Sequence, residues 1–266
     1  MEFSFYIGTL IIISTIIINS ILKNKNNKKT YYSPLPIPYG EHTLTKHNNR
    51  IDSSIYFSFQ KSFAQIADPD YYPLDLKEYQ IVLFDTQIKH ALASSEYNTR
   101  RLECEQGVGV LQQKYPSIKT LRDASKQQVD ELLKTEATLI GTKVYNRCKY
   151  VVDEIERVQL AVKDLLAGDI KAFGQKMYET HEGLSKLYEV SCPELDILVN
   201  AVKDNPYVLG ARMMGGGFGG CTINIVKKGE LKHYAENVSK AYMKKFNKAC
   251  SVYYINLSEG THIINN

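Results

Sequence analysis

A chain of 266 residues with 44% hydrophobic and 23% charged side chains has enough apolar material for one large domain or two small ones. Its formal charge of +4 is too small to argue for a nucleic-acid partner, and no Lys/Arg run is interleaved with aromatics as a nucleic-acid groove requires. Five scattered cysteines (Cys104, Cys148, Cys192, Cys221 and Cys250) show neither CxxC nor metal-ligand spacing, which argues for reduced, mostly buried thiols in a cytoplasmic setting.

The chain opens with an uncharged, mostly apolar run, FYIGTLIIISTIIINSIL at residues 5–22, with Lys23, Lys25, Lys28 and Lys29 directly after it. About 18 such residues is at the short end for a membrane span, and the lysines favour a cytoplasmic side for the rest of the chain. A secretory signal is disfavoured, because it begins with a positive region and ends in a small-residue cleavage site. Three readings stand: a membrane anchor, a translated upstream sequence without a role, or a buried strand or helix. Residues 23–30 are Asn/Lys-rich and read as a linker, so residues 1–30 form one unit apart from the rest.

Residues 31–70 are irregular, with Pro34, Pro36 and Pro38 forbidding a helix and Ile55–Phe59 reading as a strand. Ile81–Phe84 is a short apolar run fit for a buried strand. A helix is expected from near Ser94–Asn98 to about Gln113. Ser125 and Gln128 have capping-box spacing ahead of Val129, Leu132 and Leu133. Val144, Cys148, Val151, Ile155, Val158, Val162 and Leu165 step by four and three, one continuous helical stripe. Gly168 closes that helix and Asp169 caps the next, which carries Ile170, Phe173, Met177, Leu184 and Leu187. Ser191 and Pro193 open another, to about Val202. Cys221–Val226 alternates as a half-buried strand, residues 231–247 read as a helix, and Ser251–Leu257 as a final strand. The order strand, helices, strand, helix, strand is that of an α+β fold.

Ahead of the 221–226 strand, Gly215, Gly216, Gly217, Gly219 and Gly220 fall within six positions. Glycines allow positive φ and close approach of backbone N–H groups to a ligand, and successive bare N–H groups can form an anion nest. The run is neither a Walker A loop nor a dinucleotide fingerprint. Taken alone, it is a tight turn between two strands or a phosphate-site wall.

The wider stretch Gly210-Ala-Arg-Met-Met-Gly-Gly-Gly-Phe-Gly-Gly-Cys-Thr222 resembles the third motif of galactokinases, sugar kinases of the GHMP superfamily. The blocks Asp85–Glu105, Arg147–Val152, Gly174–Ser185 and Ser191–Asp196 are similar to that family in the same order. The resemblance implies a GHMP-kinase C-terminal domain over residues 71–266, with helices packed on an antiparallel sheet. Residues 31–70 would then be a remnant of the ribosomal-S5-like N-terminal lobe. It also implies the reaction ATP plus galactose to galactose 1-phosphate, with Mg²⁺ and a cytoplasmic location.

By resemblance, Gly215–Gly220 borders the active site, and the Tyr97 hydroxyl hydrogen-bonds galactose while its ring packs on the sugar. Glu41 and His42 of Gly40-Glu-His-Thr43 correspond to the signature's sugar-binding pair. The signature's Asp, however, is replaced by Leu44, which accepts no hydrogen bond. Arg100 and Arg101 read as surface or interlobe ion-pair residues before phosphate ligands, and His181-Glu182 as a packed helix face before an acid/base or metal pair. The family's Pro-Gly-Arg is matched by Ser33–Tyr39, without an arginine, and its Pro-x-Gly-x-Gly-Leu-Ser-Ser-Ser-Ala loop and catalytic Asp segment have no counterpart in these 266 residues. No catalytic or metal-binding residue is therefore assigned. Three functional readings remain open: a working galactokinase, a non-catalytic relative that binds galactose or a partner, and the product of a truncated gene.

Overall fold

A computed structural model of the chain describes residues 72, 74–88 and 93–255. Its centre is a four-stranded sheet of β1 (Tyr79–Asp85), β2 (Val208–Met213), β3 (Cys221–Lys227) and β4 (Ser251–Ile255). The order is β2-β3-β1-β4, and every neighbouring pair is antiparallel. Ile223 lies opposite Leu83, and Tyr254 opposite Val82.

The helices are α1 (Ala93–Lys114), α2 (Lys126–Gln128, continued by a π-helical turn over Val129–Leu133), α3 (Ala137–Ile140), α4 (Thr142–Ala167), α5 (Ile170–Lys186), α6 (Pro193–Asn200) and α7 (Leu231–Phe246). Their ends are set by local chemistry. The Ser125 hydroxyl accepts from Gln128 N–H at 3.2 Å, and the Gln128 side chain accepts from Ser125 N–H at 2.8 Å, so two donors at the start of α2 are satisfied reciprocally. Gly168 stops α4 in the left-handed conformation at φ +71°. The Asp169 carboxylate then accepts from Ala172 N–H at 2.9 Å and starts α5.

Alternation along the strands sends side chains to two covered faces. Ile81, Ile223 and Ile225 pack with Leu165, Phe173 and Met177 of α4 and α5. Val82, Phe84 and Val226 pack with Leu198 of α6 and with Tyr234, Val238 and Tyr242 of α7. A third cluster joins α1, α2 and α4 through Cys104, Leu111, Leu133, Val144, Cys148 and Val151.

Two sequence expectations change here. β3 is not half-buried but buried on both faces from Thr222 to Val226. The polar residues that suggest a wet face bond inside the sheet: Asn224 Nδ2 donates to Val82 O at 3.0 Å and to Thr222 Oγ1 at 3.1 Å, while Asn224 Oδ1 is buried without a partner among the described residues. β2 is a strand that the sequence order omitted. Its Gly210 breaks the alternation because α5 lies directly on it; a Cβ there would sit 2.3 Å from Gly174 O, and one on Gly174 would sit 2.4 Å from Leu209 O.

Among the described residues no helix is long and apolar enough to cross a membrane. Residues 5–22, Ile55–Phe59, Glu41 and His42 lie outside the described residues.

Candidate functional site

The glycine run is the connection between β2 and β3. Met214 N–H donates to Cys221 O at 2.8 Å and closes its base. Gly215, Gly217, Gly219 and Gly220 have φ of +78°, +87°, +130° and +78°, and Phe218 between them has φ +58°. Such a succession is open to glycine and strains other residues. At Gly217 the space is closed as well, since a Cβ would lie 1.9 Å from Val190 O.

α1 brings Tyr97 onto this loop. A Cβ on Gly216 would lie 1.5 Å from the Tyr97 hydroxyl oxygen, so the missing side chain is the seat of the phenol. The Tyr97 ring meets Phe218 edge-on, centroids 5.9 Å apart. Burial pushes the Tyr97 phenol up to about 12. At neutral pH it is therefore protonated, able to donate one hydrogen bond and accept others.

The loop is tied down on two further sides. Thr86 donates to Gly220 O from its N–H (3.0 Å) and from Oγ1 (2.8 Å). Phe218 N–H donates to Val190 O at 2.8 Å. These donors and acceptors hold the loop's own shape.

The remaining polar residues singled out from sequence are elsewhere or otherwise engaged. His181, buried on α5, accepts Met213 N–H at Nδ1 (3.1 Å), and its Nε2 is 3.2 Å from Asp196 Oδ1. Asp196 also accepts from Ser185 (2.9 Å) and Ser191 (2.6 Å). Burial pushes the Asp196 carboxyl up, but the bonds from His181, Ser191 and Ser185 outweigh it and hold the group below the usual carboxylate range. Glu182 points away and pairs with Lys203 at 3.6 Å, so the two adjacent residues do not form a pair. Arg101 pairs with Glu105 at 3.6 Å. Arg100 makes the ion pairs expected of it, with Glu96 at 3.2 Å and Glu103 at 3.6 Å, but it is buried, 7% exposed, and also bonded to backbone carbonyls. Among the described residues no group of three or more His, Cys, Asp or Glu side chains is placed to hold a metal ion.

Residues 161–245, from the end of α4 into α7, match the family model described as GHMP kinases C terminal. Over 195 residues the chain is 37% identical to the galactokinase of Thermotoga neapolitana, covering 73% of this chain and 52% of that protein. It is also 37% identical over 193 residues to the galactokinase of Staphylococcus saprophyticus, covering 73% and 49%. The crystal structure of Lactococcus lactis galactokinase complexed with galactose superposes with a TM-score of 0.65 at 31% identity, over 71% of this chain and 47% of that one. The described domain is a GHMP kinase C-terminal domain, related to that of galactokinases. The chain spans about half the length of the curated relatives it matches.

Within this GHMP kinase domain the structure brings together Tyr97 and the glycine loop, which are more than a hundred positions apart in sequence. It adds Phe218, Thr86 and Val190, which sequence reasoning did not single out. Thr86 stands in the block that resembles galactokinases, and Phe218 interrupts the glycines; those were the available signals. The Val190 carbonyl, a backbone group, left none.

Proposed function

We propose that the domain forms part of a galactose site and descends from enzymes that transfer phosphate from ATP to galactose, but that these 266 residues transfer it poorly. The observation that carries the sugar reading is the protonated Tyr97 hydroxyl seated on Gly216. A phenol held at a fixed backbone can donate to one sugar hydroxyl while its ring face packs on the sugar. In this reading residues 31–70 are the remnant of the other lobe, and Glu41 and His42 supply further sugar contacts.

Impairment is expected from what phosphoryl transfer requires. The reaction depends on groups positioned to stabilise charge on the phosphates and metal. Leu44 replaces the signature's carboxylate, the Ser33–Tyr39 segment carries no arginine, and no Pro-x-Gly-x-Gly-Leu-Ser-Ser-Ser-Ala run occurs in the sequence. ATP and Mg²⁺ are accordingly assigned no residue of this chain. The sugar reading goes with a cytoplasmic location.

The test uses the purified chain. Galactose should raise its melting temperature by mass action, and Tyr97→Phe should abolish most of that rise. Galactose 1-phosphate formation with ATP and Mg²⁺ should stay near background. Robust Mg²⁺-dependent turnover would sink the impairment, and a melting temperature indifferent to galactose would sink the sugar site.

A further inference from the structure

The turn after α5 is gripped in an unusual way. Helix ends leave their last carbonyls without intrahelical partners. Here Leu187 O accepts from Arg147, Tyr188 O from Arg100 Nε at 2.7 Å, and Glu189 O from Arg100 Nη2 at 2.8 Å. The fourth carbonyl, Val190 O, accepts from Phe218 of the glycine loop at 2.8 Å. Glu189 takes a left-handed φ of +51°, which turns the chain so that Val190 O faces the loop. Its carboxylate meets Arg147 Nη2 at 2.7 Å.

Arg100 stands on α1 one turn beyond Tyr97. A single helix therefore places the phenol on the glycine loop and also holds the turn to which that loop is bonded. The circuit closes: Tyr97 to Gly216 and Phe218, Phe218 to Val190, the 188–189 carbonyls to Arg100, and Arg100 back through α1 to Tyr97. Acidic neighbours hold the guanidinium in place, with Glu96 at 3.2 Å and Glu103 at 3.6 Å from Nη1. Arg147 Nε bonds the same Glu103 carboxylate at 2.9 Å. A forked, planar cation can serve two successive carbonyls in fixed directions, which a lysine ammonium on a flexible stem cannot.

We infer that Arg100 is a positioning residue for the sugar-binding function, setting the distance between the Tyr97 hydroxyl and the glycine loop by clasping the Tyr188–Val190 turn. The consequence for galactose rests on the function proposed above; the consequence for Tyr97 does not.

The test labels the chain's 19 tyrosines with 3-fluorotyrosine and assigns the Tyr97 ¹⁹F resonance by its disappearance in Tyr97→Phe. Arg100→Lys and Arg100→Gln are compared with Val238→Ala, a change in the apolar core on α7. Both Arg100 variants should shift or broaden the Tyr97 resonance and weaken galactose binding about tenfold, the worth of one charged hydrogen bond. Val238→Ala should lower the melting temperature and leave the resonance in place. Should Arg100→Lys fail to fold, Arg100→Gln and the milder Glu96→Gln carry the same comparison. A Tyr97 resonance that moves no more in the Arg100 variants than in Val238→Ala overturns the clasp. If the wild-type chain binds no galactose, the function proposal fails and the resonance alone decides the clasp.

Discussion

The sheet core and the glycine-loop end of the domain are closed by different means. On the α6/α7 face, closure is mainly apolar packing: Val82, Phe84 and Val226 lie against Leu198, Tyr234, Val238 and Tyr242, with Phe84 and Tyr234 edge-on at 5.5 Å. Toward the glycine loop, α4, α5 and β2 bury Arg147, Glu154, Thr180, His181 and Arg212. There Glu154 accepts from Thr180 at 2.9 Å and from Arg157, and Arg212 Nε donates to Met213 O at 2.9 Å. Apolar packing tolerates modest reshaping. Directional bonds to buried groups fail when one partner goes, because the other is left unpaired. The loop end is thus held to a fixed geometry, while the apolar packing on the sheet supplies bulk stability.

The largest effect should come from breaking the apolar face. Phe84→Ala empties a fully buried site and should cost about 4 kcal/mol of unfolding free energy, measured by urea denaturation. The Tyr97 contacts should survive in the fraction that stays folded. A loss under about 1 kcal/mol would mean that the face collapses freely and the contrast between the two sides is overstated.

A smaller, more telling effect belongs to the loop. Gly216→Ala drives a methyl into the Tyr97 hydroxyl and should cost about 2 kcal/mol. Tyr97→Ala in the same chain should return part of that loss, so the two changes are not additive. Additive losses would show that the phenol and the loop do not set each other's position.

The smallest effect is a pH dependence carried by Asp196. The Asp196 carboxyl is held below the usual carboxylate range when folded, so the unfolded chain binds more protons there. The stability it adds is complete above the unfolded value of about 4 and is lost as pH falls through the lower folded value. Asp196→Asn should lower stability near neutrality and flatten the acid limb of a urea-midpoint profile. An acid limb as steep as wild type would place that dependence in other groups.

How far the sequence was legible tracks the same division. The α4 stripe, the Ser125 capping box, the Gly168 stop and the Asp169 cap are local patterns, and each stands in the structure where the residues imply. The sheet was only partly legible. Thr222 and Asn224 look like a solvent face because the bonds they make lie within the sheet. β2 was hidden because it carries an arginine, 1% exposed, and a glycine pressed against α5. At the candidate site, Tyr97 and the glycines were legible through the family blocks, whereas their seat on one another was not. The ion-pair role of Arg100 was legible from its neighbours Glu96 and Glu103, but its burial was not, since its carbonyl partners lie 88 and 89 positions away, beyond any local pattern.

The flush contact of Gly174 with Leu209 and Gly210 reaches further than packing. It pins one end of α5 to the sheet, while the other end runs into the turn that receives Phe218. The 17 residues of α5 span about 25 Å and turn about 100° per residue. The helix is therefore a gauge of both length and angle between the sheet and the loop. Inserting or deleting one residue between Gly174 and Lys186 would swing the Val190 carbonyl by about 100°, away from Phe218. Such a change would loosen the glycine loop without touching it, so α5 should admit replacements along its exposed side far more readily than any change in its count of residues.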